Sequence, residues 1–385
     1  MDFDFTAEQI AMREHVRAFA EREIAPKAAE NDRACRFDWD IAKKIFHEGF
    51  LGCPIPEKYG GLGQDYISYG LMTEEINRIC SSTRTLFSVQ TSLVALTILR
   101  WGTEEQKQKY LPGLCNGKII GCYGLTEPDA GSDAGNQQTR AKKDGNDYLL
   151  SGQKIWISCG TIATIAIIFA TVDPALKHKG ITCFIVDTKT PGFSAQAIKG
   201  KLGLRASDTA SLFLDNVRVP ASNILGQVGE GFKVAMSALD NGRFSVAAGA
   251  TGLVQACIDA STQYAMQRKT FGKPIGEHQQ IQAMLADMVT ECDAGRLLYL
   301  RAASLKDKGV RNTLETSLAK YFCGEAANKA AHNAVQIFGG YGYSDEYPVE
   351  RYFRDAKVLN IYEGTREIQR LIIAQDALGI RKANG

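Results

Sequence analysis

Apolar residues recur at three- and four-residue spacing through the first 118 residues, near every second position from there to about 220, and again at helical spacing to the end. Thr6-Ala7-Glu8-Gln9 reads as a capping box. Ile10, Val16, Phe19 and Ile24 continue that helix, which Pro26 is expected to stop. Further helices are predicted over 39–48, 68–78, 81–101 and 103–111. Gly49, Gly52 and Pro54 break the pattern between them. The loop Gly60-Gly61-Leu62-Gly63 is not a dinucleotide fingerprint, because no strand precedes it. Strand-like runs follow at 119–125, 148–158 (broken at Gly152), 162–172, 181–186, 193–198 and 212–219, with a tight turn at Asp144-Gly145. Long helices are expected over 240–267 and 277–306.

This pattern predicts an α+β protein in three parts: an all-α domain over 1–118, a small antiparallel β domain over 119–228 and a C-terminal four-helix bundle over 229–385. A length of 385 residues is too great for one ordinary core, in agreement with that division. A net charge of +2, with no basic cluster interleaved with aromatics, excludes a nucleic-acid surface. The acidic start, Met1-Asp2-Phe3-Asp4, does not read as a signal peptide, and the run at 162–172 is too short to span a bilayer. A cytoplasmic protein is expected. The ten cysteines are scattered without a C-x-x-C pair, so no metal site is expected and the thiols read as free and mostly buried.

Several stretches carry possible chemistry. Glu363 follows the apolar run Val358, Leu359, Ile361 and Tyr362 and precedes Gly364. It reads either as a general base or as an acid complementing the dipole of the next helix. The loop from Tyr123 to Ser132 leaves a strand and carries Gly124, Gly131, Thr126 and Ser132, which suits a planar heterocycle or an ordinary polar turn. Trp156 is either core or a stacking platform. Arg268 beside Thr270 suits a diphosphate or a helix C-terminus, and Gly340 and Gly342 could be a helix C-cap. Leu239-Asp240-Asn241-Gly242-Arg243 is expected to open a helix, with the acid in its first turn.

Four segments, in order, resemble the acyl-CoA dehydrogenase family: 122–133 (Cys122-Tyr123-Gly124-Leu125-Thr126-Glu127-Pro128), 267–274 (Gln267-Arg268-Lys269-Thr270-Phe271-Gly272), 335–342 (Val335-Gln336-Ile337-Phe338-Gly339-Gly340) and Tyr362-Glu363-Gly364-Thr365 with Ile368-Gln369. The resemblance implies an FAD-dependent homotetramer that takes an α proton and a β hydride from an acyl thioester. Glu363 would be the base. Its backbone N–H and a ribityl hydroxyl of FAD would stabilise the thioester oxygen. Tyr123, Leu125, Thr126, Gly131, Ser132, Trp156 and Ser158 would line the flavin ring. Arg268, Thr270 and Phe271 would reach the FAD diphosphate of a neighbouring subunit, with Gln279, Gln336, Gly339 and Gly340 near its adenosine end. Thr365 and Glu367 match further flavin contacts, although many members carry glutamine in place of Glu367. Substrate contacts are implied at Arg84, Ser132, Asp240, Arg243, Tyr362 and Gly364, Arg243 meeting the pantetheine arm. Isovaleryl-type members carry the base at the position of Gly242, so the glycine leaves Glu363 in that role.

The resemblance also implies coenzyme A or an acyl-carrier protein as thioester carrier and an electron-transfer flavoprotein as acceptor. Other readings are an acyl-CoA oxidase, an acyl-carrier-protein dehydrogenase that makes hydroxymalonyl or aminomalonyl units, and a non-catalytic flavin binder. The second is raised by Ile79-Cys80-Ser81-Ser82-Thr83-Arg84-Thr85, which looks like that branch. Arg84 is either a surface arginine or, as a cation in a helix first turn, one that awaits an anion. Glutaryl-CoA dehydrogenases carry a matching arginine for the far carboxylate of the substrate, and Ser88-Val89-Gln90 matches there too. A short acyl group with a polar or acidic end is therefore expected.

Overall fold

The computed structural model describes residues 4–385; Met1 to Phe3, part of the acidic start, lie outside them. The first helical region opens with α1, Ala7–Phe19, capped by the expected box from Thr6 and Gln9. Pro26 does not stop it. A π-helical stretch, Ala20–Ile24, links α1 to α2, Ala25–Ala34, and Pro26 sits in the first turn of α2. The wider π turn relieves the clash a proline makes inside a regular helix. Next come α3, Trp39–His47, N-capped by Asp38, and α4, Tyr66–Ile79, N-capped by Asp65. The helix expected over 81–101 is α5, Ser81–Phe87, and α6, Leu96–Trp101, joined by a second π stretch, Ser88–Ala95. α7, Glu104–Cys115, starts from a capping box at Thr103.

The middle region is a seven-stranded sheet of β1, Gly121–Gly124; β2, Arg140–Asp144; β3, Asp147–Ser158; β4, Ile165–Thr171; β5, Ile181–Asp187; β6, Phe193–Ala197; and β7, Thr209–Pro220. Its pairings are antiparallel except where β1 and the first residue of β2, Arg140, run parallel to β4. β2 escapes sequence reading because Ala141 is its one buried residue. β1 is fastened to the helices by Gln90, whose amide both donates to the Gly121 carbonyl (2.7 Å) and accepts from its N–H (2.9 Å).

The last region begins with α8, Gly231–Gln267. Asp240 and Arg243 therefore lie inside a helix that starts nine residues before Asp240, not in its first turn. A two-residue hairpin joins β8, Lys269–Thr270, to β9, Lys273–Pro274. Then follow α9, Gln279–Asp307; α10, Thr313–Phe338; α11, Val349–Ala356; and α12, Arg366–Ala377. α10 packs on α8, α9 and α12, and α4 packs on α8. Close crossings rest on small residues: a Cβ at Gly252 of α8 would lie 2.1 Å from the Glu74 carbonyl of α4. All ten cysteines are free, and only Cys35 is exposed. No helix among the described residues is long and apolar enough to cross a membrane.

Candidate active site

Glu363 sits at a sharp reversal. The N–H groups of Ile361 and Tyr362 both donate to the Val358 carbonyl, at 2.8 and 3.1 Å. The chain then turns through two successive left-handed residues, Glu363 (φ 54°) and Gly364 (φ 92°). Thr365 caps α12 by accepting from the Ile368 N–H at 3.3 Å. A glutamate in that conformation is uncommon and marks a place where surroundings impose it. Glu363 precedes the cap, so it is not a first-turn acid of α12. Its side chain reaches α8, where a Cβ on Gly242 would stand 1.6 Å from Oε2. Only glycine leaves room for this carboxylate.

The carboxylate is sparsely bonded. Ser88 donates its hydroxyl to Oε1 at 2.9 Å, whereas Oε2 is buried with no hydrogen-bond partner. Burial raises the carboxyl above its ordinary 4.5, against the lowering influence of Arg84, the Ser88 hydrogen bond, Lys320 and Arg243. Among the described residues no acceptor takes the Glu363 amide N–H.

The two carbonyls after it are held. Arg243 donates from Nε to the Glu363 carbonyl (3.2 Å) and from Nη1 to Asp240 (3.1 Å). Arg243, expected to meet the pantetheine arm, is buried against the Glu363 loop. Lys320 Nζ (2.7 Å) and Gln369 Nε2 (3.1 Å) both donate to the Gly364 carbonyl. Lys320 was absent from the sequence reading. Its signal is a lysine on the apolar face of α10, in step with buried Thr316, Cys323 and Ala327.

Arg84 is fully buried, which excludes the surface alternative. Its Nε donates to Asn77 of α4 at 3.2 Å, Nη2 donates to the Tyr362 hydroxyl, and Nη1 is buried without a partner. Its guanidinium lies 5.6 Å from the Tyr362 ring centre, and Gly249 of α8 makes room for it.

The loop expected to face a planar ligand leaves β1 beside this site. Tyr123 is buried and donates its hydroxyl to the Ala235 carbonyl at 3.3 Å. Gln137 and Lys154 pin the Leu125 carbonyl, and Ile155 donates to that of Thr126 at 3.0 Å. Glu127 and Ala130 exchange backbone hydrogen bonds across Pro128 and Asp129, leaving Gly131 and Ser132 exposed. Trp156 lies where the β3–β7 register shifts, at φ 62°, with 59% of its surface exposed. Ser158 follows, partly buried. Beyond the Glu363 loop, Glu367 is exposed and paired with Arg366 at 2.6 Å.

A second group lies apart. Arg268, Thr270, Gly339 and Gly340 line a cleft of about 600 Å³ with Tyr341 and Glu346, and none of the Glu363 surroundings contributes to it. Arg268 lies 5.8 Å from the Tyr341 ring centre, and Thr270 shares a 3.1 Å hydrogen bond with His278. Phe271 and Gly272 both take positive φ, as a two-residue hairpin requires, and the Phe271 ring is 96% exposed. Gln279 at the start of α9 and Gln336 in the last turn of α10 are exposed. Gly339, rather than Gly340 or Gly342, caps α10.

Comparison with known proteins covers almost all of the chain. Three family profiles match: acyl-CoA dehydrogenase, N-terminal domain, over 6–118; middle domain over 122–217; and C-terminal domain over 229–378. The chain is 44% identical to a short-chain-specific acyl-CoA dehydrogenase of Clostridium acetobutylicum, across 97% of this chain and 99% of that one. It is 42% identical to a glutaryl-CoA dehydrogenase of Desulfococcus multivorans, across the full length of both. A solved glutaryl-coenzyme A dehydrogenase in complex with glutaryl-CoA superposes with a TM-score of 0.98 at 42% identity, covering 100% of this chain and 98% of that one.

Proposed function

Because this chain belongs to the acyl-CoA dehydrogenase family, we propose that it dehydrogenates a short acyl thioester between Cα and Cβ, with Glu363 as the base and Arg84 beside a polar or carboxylated acyl end. The observation that carries this is the pairing of two unsatisfied groups in one site: the partnerless Oε2 of Glu363 and the partnerless Nη1 of Arg84. A buried carboxylate oxygen and a buried guanidinium N–H are each costly unless a ligand supplies the missing partner. A thioester with an anionic or hydroxylated far end supplies an acidic C–H to one and an acceptor to the other.

The residues present fit FAD. Trp156 is exposed on a left-handed residue where the β3–β7 register shifts, and Gly131 and Ser132 are exposed, which suits a ring platform. Arg268 with Thr270 and two exposed glycines suits a diphosphate. Bound FAD would supply the hydride acceptor. The two groups lie apart in one chain, and the bare Phe271 ring calls for cover. This supports a contact between subunits in which the Arg268 group serves a neighbour's cofactor; we read the assembly as a homotetramer and the acceptor as an electron-transfer flavoprotein, as the family resemblance implies.

In this reading Glu363 takes the α proton. Burial raises its carboxyl, which makes the ionised form a stronger base than a solvated glutamate. Its free N–H is placed to donate to the thioester oxygen as charge develops there. Ser88 orients the carboxylate through Oε1 and leaves Oε2 to meet the proton. The test is bleaching of the bound flavin by a panel of butyryl, isobutyryl, glutaryl and hydroxyacyl thioesters on coenzyme A and on carrier protein. The carboxylated or hydroxylated members should bleach it fastest; fastest bleaching by butyryl thioester overturns the Arg84 assignment.

A further inference from the structure

Three buried or partly buried donors converge on two consecutive carbonyls of the base loop: Arg243 on Glu363, and Lys320 with Gln369 on Gly364. Lys320 is 1% exposed, and among the described residues its ammonium donates one hydrogen bond, to that carbonyl. Its ammonium is thus bonded to a neutral carbonyl and ion-paired with no carboxylate among the described residues, a costly arrangement for a buried cation. Gln369 is fully buried, and its Oε1 lacks a partner, so its orientation is set by the donor side facing Gly364. A Cβ on Gly364 would stand 2.6 Å from Gln369 Nε2, so the loop is pressed against its clamp.

We infer that Lys320 and Gln369 are positioning residues: their shared grip on the Gly364 carbonyl holds Glu363 in its left-handed conformation, with the carboxylate over Gly242 and the amide N–H facing the substrate. Arg243 holds the peptide after Glu363 and so its ψ, Lys320 and Gln369 hold the next peptide and so ψ of Gly364, and the turn on Val358 fixes the approach; the grip on Gly364 thus locks the second half of the reversal that carries Glu363. The carboxylate then has one place to go. Lys320 also places a cation near Glu363 without forming an ion pair with it. Glu363 is faced by Arg84 of α5, Ser88, Arg243 of α8 and Lys320 of α10. Lys320 is faced in turn by Glu363, Arg243, Glu367 of α12 and Glu325 of its own helix.

This rests on Glu363 as the base, and the test separates the two. Hydrogen exchange of the 361–369 segment is measured in the FAD-loaded protein, with flavin-reduction rate and apparent KM, for Lys320→Met, Lys320→Arg and Gln369→Leu. Lys320→Met and Gln369→Leu should raise exchange in that segment alone and slow reduction by about 10–100-fold with KM little changed, the scale of a misplacement of about 1 Å. Lys320→Met should also move the rising limb of the pH profile upward, because a cation near the carboxylate is lost. Lys320→Arg should restore the limb and part of the rate. Unchanged exchange, or a rise in KM with an unchanged rate, overturns the clamp. Normal reduction in Glu363→Gln overturns the base reading, and the exchange measurement still judges the clamp.

Discussion

Glu127 and Glu363 are both carboxylates drawn away from water and facing cations, yet their surroundings are opposite. Glu127 lies on the expected flavin loop with Oε1 accepting from Lys154 (2.8 Å) and Thr139 N–H (3.0 Å) and Oε2 accepting from Gln138 N–H. Burial alone would raise its carboxyl, but Lys154 and these donors hold it below its ordinary value. Burial draws the Lys154 ammonium down to about 8, which still leaves it charged at neutral pH. Glu363 has three cations in range and an ion pair with none, one hydroxyl donor, and a bare oxygen. A saturated acid is part of the scaffold; an under-bonded one, compensated from a distance, is ready to receive a proton.

The comparison breaks most readily at the bare oxygen. Glu363→Gln should keep the fold and the flavin and lose about 10²–10⁴-fold in flavin reduction, the usual worth of a general base. Glu127→Gln should leave the reduction rate per bound flavin near the parent's. Near-normal reduction in the first variant, read by stopped flow, would erase the distinction.

On the scaffold side, Lys154→Met leaves a buried carboxylate unpaired and should destabilise by about 3–5 kcal/mol, with loss of flavin retention. Replacing both members, as Lys154→Met with Glu127→Leu, should recover most of the stability. Urea unfolding with absorbance of the retained flavin distinguishes these. A double variant as unstable as the single one would mean that the pair shapes the loop beyond its charges.

Smaller still is the effect of Arg84, the cation proposed to face the acyl end. A charge-assisted hydrogen bond contributes about 1.5–3 kcal/mol, or about 10–100-fold. Arg84→Met should lose that factor on glutaryl thioester and gain relative activity on butyryl thioester. Equal losses on both would make Arg84 structural.

Last, stability should respond to pH with opposite signs at the two acids. Glu363 is raised above 4.5 in the fold, so the folded state holds the proton more tightly, and stability falls as pH rises from 4.5 through the raised value. Glu363→Gln should therefore match the parent in acid and be slightly more stable at neutral pH. Glu127 is lowered, so its contribution is present above 4.5 and fades as pH falls through the depressed value. Thermal melts of the parent, Glu363→Gln and Glu127→Gln from pH 2.5 to pH 8 would show the two trends; parallel curves would refute the assignment of burial to one and saturation to the other.

The order of helix, strand and helix was legible because it depends on local periodicity and on caps such as Thr6, Thr103 and Asp38, whose partners lie within a few residues. Glu363 and the loop from Tyr123 were legible as motifs. Pro26 and Asp240 misled for one reason: a π turn in one case, and a helix prolonged by tertiary packing in the other, override a local rule.

What the chain determined by itself is the alternation of its elements and the motif that singles out Glu363, since both are written in neighbouring residues. What only the tertiary structure decided is why that acid differs from the others. Ser88, Gly242, Lys320 and Gln369 come from four separate helical segments, and Gly242 lies 121 positions before Glu363 in the sequence. A carboxylate's basicity depends on which donors and charges stand within a few ångströms and on what water is excluded. No periodicity along the chain encodes that set; packing α8 against α4, α10 and the second π stretch does.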